Sequence, residues 1–310
     1  MARRINIILS PDKTNALLKA LLAAKGVMSV QASRASSIKP PGDALSIEVL
    51  NRNLPDLMRL LDEHGLTGGP DAHISSSVPV SVISRDFNHE VVRDSSEAAW
   101  EEMEATLVSE SSPTPNVLGL MAIAGFITAA GISTGTLHLV LAAMVIAPGF
   151  EPFIRITLGI VARSGAWRRG LRSVALGYAA LLAGAFLGAI TIGVKGATLL
   201  SGGEYYIGAG RLVSYWTTPS FSSLIISAAA SAAGAILIAS HRSILTAGVM
   251  IGLALIPTAA LVSMGVVAGD WVTAWKALIR WAIEAALVVS VSMPVFLWKR
   301  FHVHRRKMAV

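Results

Sequence analysis

Residues 139–155 read LVLAAMVIAPGFEPFIR, an apolar run that ends in a break. It is apolar for nine residues and then breaks. Pro148, Gly149 and Pro152 interrupt a regular helix, because each proline lacks a backbone N–H and its ring clashes with the preceding turn. Glu151 stands at the break, with Arg155 four residues on. Freed backbone groups and a carboxylate are costly at membrane depth, so chains keep them where they line a cavity or a protein-buried site. The stretch therefore points to a place in the molecule without naming a substrate.

The rest of the chain supports a membrane reading. Of its 310 residues 53% are hydrophobic and only 15% are charged, and its mean hydropathy is +0.61. That is too apolar for a soluble protein of this size. The net charge of +7 hides an asymmetry: residues 1–116 hold 11 Lys and Arg against 15 Asp and Glu, and residues 117–310 hold 15 against 4. A basic membrane half matches the loops that stay on the cytoplasmic side, so it carries no nucleic-acid reading. Cysteine is absent, which excludes disulfides, thiolate metal sites and cysteine nucleophiles. The apolar run after the basic start is too short for a signal peptide, so the N-terminal region is expected in the cytoplasm.

Residues 1–84 read as β-α-β-β-α-β, the ferredoxin-like split pattern, which includes small-molecule-sensing domains of the ACT type. The expected elements are a strand at 3–9, a helix opened by Pro11 with Leu17, Leu18, Leu21 and Leu22 on one face, a strand at 27–33, a turn at 40–43, a strand at 44–50, a helix capped by Asn53 and ended by Gly65, and a strand at 74–83. The fold hosts many functions, so this domain reads either as a ligand sensor or as a module for assembly and cytoplasmic contacts. Residues 85–116 form a linker with an acidic helix, capped by Ser95 or Ser96, whose Trp100, Met103 and Leu107 give an apolar stripe. It reads as a solvated connector packed on the N-terminal domain.

Six runs, about 117–136, 138–161, 173–195, 220–240, 244–267 and 277–298, are long enough to cross a hydrocarbon core. Basic residues at Arg163, Arg168, Arg169, Arg172 and Arg242, and in the tail 299–310, put both termini in the cytoplasm. Trp167, Trp216, Trp271, Trp275 and Trp298 fall near span ends as an aromatic belt. Ser227, Ser231 and Ala235 make a small-residue face on which another helix can close. The segment 201–219 reads as an outer, glycine-rich loop; it lacks a full GxGxxG, which excludes a nucleotide site there. Span five is interrupted by Pro257, with Thr258 and Ser263 able to satisfy freed carbonyls. The second span of each triplet is thus broken, as in an inverted 3+3 repeat with a midplane site, and a proline kink without a site is the alternative.

Charged residues inside the spans are few. Glu151 and Arg155 lie four apart, and Arg280 and Glu284 repeat that spacing in reverse order. Both pairs read either as self-neutralising packing features or as solute contacts. In the second case Glu151 carries a proton or cation with Arg155 as its partner, or an arginine faces an anion. Arg280 lies near the outer boundary, within reach of the interface. His302 and His304 alone make a poor metal site. No nucleophile-base set, metal site or cofactor motif is present, so an enzyme is not expected.

LAAMVIAPGFEPF (141–153), TTPSFSSLIISAAASAAGA (217–235) and AGVMIGLALIPTAALVSMGVVAGDW (247–271) together resemble the prokaryotic "domain of unknown function 389" family of hydrophobic membrane proteins. The resemblance covers roughly 117–298, and the N-terminal domain with its acidic linker matches what members carry upstream. It implies a multi-pass protein of a bacterial inner membrane and brings no activity with it. Ala147 before Pro148 and Glu151 before Pro152 depart from the family pattern of Ser-Pro and Gly-Pro. The expected protein moves or gates a small solute or ion between the breaks at 147–152 and 252–258, with the lipid bilayer and further copies of itself as partners. The alternative is a membrane-anchored sensor or assembly protein whose domain 1–84 binds a metabolite or partner.

Overall fold

A computed structural model describes residues 2–66, 72–77, 79, 87, 89, 100–192, 207–240 and 246–302. The chain divides into two compact units, Met1–Trp100 with Arg300–Val310, and Glu101–Lys299. The expected helix cap at Ser95 or Ser96, the outer part of the strand at 74–83, Glu204, Arg242 and the tail from residue 303 lie outside the described residues.

The first unit is built on β1 (Arg3–Leu9), α1 (Pro11–Ala23), β2 (Val27–Ile38), β3 (Pro41–Val49), α2 (Leu54–Glu63) and β4 (Ala72–Ser77). The sheet order is β2-β3-β1-β4, and every neighbouring pair is antiparallel. Strand β1 alternates inward and outward, as a half-buried strand must, with Ile5 opposite Ile47 and Ile7 opposite Leu45. Those side chains meet Leu17, Leu21, Leu57 and Leu61 in one core. Pro11 opens α1 where its missing N–H costs nothing.

Three sequence details change. Leu22 is 78% exposed, because five positions past Leu17 it lies well round the helix from the buried stripe of Leu17 and Leu21. The expected turn at 40–43 is tighter and earlier, since β2 runs to Ile38 and β3 starts at Pro41. Asn53 precedes α2 but its side chain makes no cap bond. It packs under Gly26 instead, where an added Cβ would come within 2.3 Å of Asn53 Oδ1 and where φ is +78°.

A buried polar knot closes the β2–β3 end. Asp43 accepts from Ala35 N at 2.7 Å, from Thr14 Oγ1 at 2.8 Å and from Arg34 Nη1 at 3.1 Å. Ala35 has φ +47° at a register shift of β2, a left-handed conformation that the bond to Asp43 helps to hold. The Ala35 N–H, followed by the Thr14 hydroxyl and Arg34, keeps the Asp43 carboxyl below its usual value.

The second unit is helical: α3 (Trp100–Ser111), α4 (Pro115–Ser133), α5 (Leu137–Ile146), α6 (Glu151–Ala162), α7 (Ala166–Ile192), α8 (Ile207–Thr217), α9 (Phe221–Ala239), α10 (Thr246–Gly252), α11 (Leu255–Ala268) and α12 (Trp271–His302). Helices α4, α7, α9 and α12 are long and apolar enough to cross a membrane; α5 and α6, bent by 41° at a short break, count as a fifth span if taken together. The run expected as span five is in two pieces, α10 and α11, each too short alone. Large apolar side chains such as Ile123, Leu187, Ile225 and Ile279 point outward on these helices, as lipid-facing residues do. This is the surface of a multi-pass membrane protein.

Helix α3 is not a solvated connector: Met103 and Leu107 are buried in the helical unit, and Glu104 pairs with Arg169 of α7 at 3.7 Å. Residues 207–217, expected as loop, form α8, with Val213 and Trp216 buried. Helices α4 and α7 pack with almost no gap. A Cβ on Gly184 would lie 1.8 Å from the Ala122 carbonyl oxygen, and one on Gly125 2.1 Å from that of Leu181. Small residues are the means by which membrane helices gain close contact where apolar surface alone gives no driving force.

Candidate functional site at the helix breaks

The first break spans Ala147–Phe150, between α5 and α6. Pro148 begins it, and Pro152 then sits in the first turn of α6, where a missing N–H is tolerated. The break leaves backbone groups that need partners away from water. The Gly149 carbonyl accepts from Tyr178 Oη of α7 at 3.0 Å, and Gly149 N donates to Ala147 O at 2.8 Å. Tyr178 belongs to an aromatic triad with Phe153 and Trp281, with ring centroids 5.1–6.1 Å apart and edge-on contacts. Phe150 is fully buried against Gly234 of α9, where a Cβ would come within 2.3 Å of its ring. Glu151 is buried in the first turn of α6, where the positive end of the helix favours a carboxylate.

Arg155 does not pair with Glu151. Its Nη1 donates to Ser111 Oγ at 3.3 Å and Ser112 Oγ at 3.4 Å, and the charges that act on it are Arg169 and Glu104. The four-residue spacing put the two on one face, but the hydroxyls at the end of α3 supply the acceptors, and their proximity is decided by packing.

The second break is at Leu253–Ala254, between α10 and α11, upstream of Pro257. That proline is the third residue of α11, a position that needs no intrahelical N–H. Thr258 returns its hydroxyl to the Ala254 carbonyl, and to Leu255 O at 3.2 Å, as expected for a residue beside a proline. Ser263 instead donates to Leu182 O of α7 at 2.9 Å, so its role is between helices.

Arg280 and Glu284 of α12 meet at this break. Arg280 Nη2 lies 2.5 Å from Glu284 Oε1, and the two side chains are 3% and 0% exposed. Arg280 is therefore turned into the protein and does not snorkel. The same Glu284 carboxylate accepts from Ser227 Oγ of α9 at 2.9 Å, and the backbone N–H of Ala254 lies near enough to act on its charge. The small-residue face of α9 is thus also a polar contact, at Ser227. The Ala254 N–H belongs to the start of α11, so Glu284 neutralises the positive end of that helix. Each half-helix after a break carries a carboxylate at its N-terminal end: Glu151 from α6 itself, Glu284 brought to α11 from α12.

A cavity of about 30 Å³ opens beside the pair, lined by Tyr215, Trp216, Ser223, Ser227, Ala254 and Arg280 among others. Trp216, expected in the interfacial belt, is buried and lines this cavity, whereas Trp271, Trp275 and Trp298 are largely exposed. Arg280 Nε and Nη1 and Glu284 Oε2 are buried and have no hydrogen-bond partner among the described residues. The sequence showed the Arg280–Glu284 spacing. It carried no signal for Ser227, Trp216 or the Ala254 N–H, which reach the pair from elements far apart in the chain. Among the described residues no three His, Asp or Glu side chains gather to hold a metal ion.

Residues 144–290 match the model of a family described as "Domain of unknown function (DUF389)". The matched stretch begins in α5 and ends in α12, so it takes in both breaks and the Arg280–Glu284 pair. No curated protein and no solved structure matches the chain. From α5 to α12 the membrane-spanning region matches the DUF389 family.

Proposed function

We propose that the membrane region binds and passes a small solute or ion where the two broken segments approach each other. The observation that carries this reading is the buried Arg280–Glu284 pair set against a helix break and a polar cavity. A charge pair in a membrane interior costs several kcal/mol per ion in lost hydration, offset only in part by pairing, and intramembrane ionisable groups mark solute and ion pathways. Two breaks, each followed by a helix with a carboxylate at its N-terminal end, fit the discontinuous helices of transporters. Helices α10 and α11 together make a sixth span, and the two triplets stand in opposite orientation. Residues 1–84 are a ferredoxin-like cytoplasmic domain that senses or gates. The protein lies in the inner membrane, with the bilayer as its first partner, further copies of itself as the second and both termini inside. It is not an enzyme.

Flux into proteoliposomes is the test. Wild-type protein should pass a small inorganic ion, and Glu284→Gln and Glu151→Gln should each lower that flux at least tenfold while the protein remains folded. Equal flux in all three would remove the breaks from the pathway. No flux of any solute in the wild type would leave the spans as an anchor for a sensing domain.

A further inference from the structure

The first turns of α7 carry two lanes of exposed side chains. Trp167 and Leu171 form one lane, Arg168 and Arg172 the other, and each pair is four residues apart on one helix face. All four are exposed, Trp167 at 38% and Leu171 at 55%. At 27 residues α7 is longer than the roughly 20 that a hydrocarbon core requires, so its first turns stand in the headgroup region. The backbone there is closely packed. A Cβ on Gly159 of α6 would come within 2.3 Å of Trp167 N, and one on Gly170 within 3.1 Å of Pro152 O.

The two arginines differ from the engaged ones of the helical unit. Arg155 is held by Ser111 and Ser112, Arg169 lies against Glu104, and Arg280 is paired with Glu284. Among the described residues no carboxylate comes within ion-pair reach of Arg168 or Arg172. Arg168 instead stacks on the Trp167 ring, 5.2 Å from its centroid. An exposed tryptophan at a span end settles at the headgroup level, where its amphipathic ring meets both water and lipid. It therefore holds the stacked guanidinium at the depth of the phosphates. Side chains on a helix lean toward its N-terminus, so Arg172, one turn deeper, reaches back toward the same level. Leu171 stays beside it at the acyl chains. Two charges without a carboxylate, set along an apolar lane, match a molecule with a phosphate above and a hydrocarbon tail below.

We infer that the start of α7 binds an anionic phospholipid of the surrounding leaflet, its phosphate between Arg168 and Arg172 and an acyl chain along Trp167 and Leu171. Arginine suits this role because its planar fork matches phosphate oxygens. A zwitterionic lipid offers the same phosphate with a cation attached, so net charge separates the two. The inference stands whether or not the helix breaks pass a solute.

The experiment is thermal unfolding of full-length protein in dodecyl maltoside micelles doped with phosphatidylglycerol, or with phosphatidylcholine of the same chains. A bound lipid raises apparent stability by mass action, so the titration yields an affinity. Phosphatidylglycerol should bind the wild type about tenfold more tightly than phosphatidylcholine, and by less at high salt. An arginine at an anionic surface is worth about fivefold in affinity, so Arg168→Gln with Arg172→Gln should weaken phosphatidylglycerol about 25-fold and leave phosphatidylcholine nearly unchanged. Arg211→Gln, at an exposed position of α8, should change neither. Equal affinity of the wild type for the two lipids overturns the proposal. So does a preference that survives the double exchange, or one lost as fully in Arg211→Gln. Equal stabilisation of the wild type by glycerol phosphate also overturns it, because that marks a site for a soluble anion. Both exchanges fall at exposed positions, where folding is preserved, and the wild-type comparisons decide the matter without them.

Discussion

Glu284 is held by three elements: Arg280 on its own helix, Ser227 on α9 and the Ala254 N–H at the start of α11. Truncating one member of a buried ion pair leaves the other charge stranded and costs about 3–5 kcal/mol, whereas exchanging both for apolar residues of similar volume is often neutral or stabilising. Glu284→Ala should therefore lower stability by about 3–5 kcal/mol, and Arg280→Met with Glu284→Leu should recover most of it. Denaturation of the purified variants in mild detergent checks this; a double variant as weak as the single one would show that the contacts to Ser227 and Ala254 matter more than the pair. In the first unit, Asp43 has a folded value held below the usual carboxylate range by the Ala35 N–H, Thr14 and Arg34. A depressed carboxylate stabilises the fold above its unfolded value and loses that contribution as pH falls through the folded one. Amide exchange in β1 and β3 should accelerate below the ordinary range of aspartate, and Asp43→Asn should show fast exchange already at neutral pH with a flatter response to acid. The pairing of Arg280 with Glu284 could be read from a four-residue spacing. The same spacing at Glu151 and Arg155 misled, because a shared helix face permits a contact and the neighbouring helices decide whether it forms.

At the scale of the element, the breaks divide into cause and consequence. Pro148 and Gly149 interrupt the run between α5 and α6, and their position was visible in the sequence. In the second broken span the sequence pointed to 252–258, and the helix stops within that range, at Leu253–Ala254, one turn before Pro257, whose ring would meet the Leu253 carbonyl in a continuous helix. Pro257→Ala should change stability by less than about 1 kcal/mol, because in the first turn of α11 the proline removes no N–H that the present helix needs. A loss of several kcal/mol in thermal unfolding would show that the packing of the ring holds the break together. The contact of α4 with α7 should be far less tolerant. Gly184→Ala places a Cβ 1.8 Å from a backbone oxygen, which has no rotamer by which to yield. It should cost about 1–3 kcal/mol or more, as overpacking does, read by the same unfolding assay. Gly125 and Gly184 did not stand out among 27 glycines, since nothing local separates a glycine that a neighbouring helix touches from one that faces open space.

For the whole molecule, the distribution of charge and tryptophan sets the expected orientation, and single-cysteine labelling can read it directly because the chain has no cysteine of its own. In intact cells an impermeant thiol reagent should label Asp270→Cys from outside, and Arg168→Cys only after the membrane is opened; the reverse pattern would invert the topology. Composition and periodicity alone establish a multi-pass membrane protein with a small sheet-containing unit before the spans, the break in the second span, and the few charges within the apolar runs. Both depend on near neighbours in the chain. Long-range packing places α3 with the helical unit, makes residues 207–217 a helix, and gathers Arg280, Glu284, Ser227, Trp216 and Ala254 around one buried place. The physical reason is that satisfying a buried charge takes donors and acceptors from helices distant in sequence, and the lipid-facing pattern of a span says which side is apolar without saying which partner meets the other.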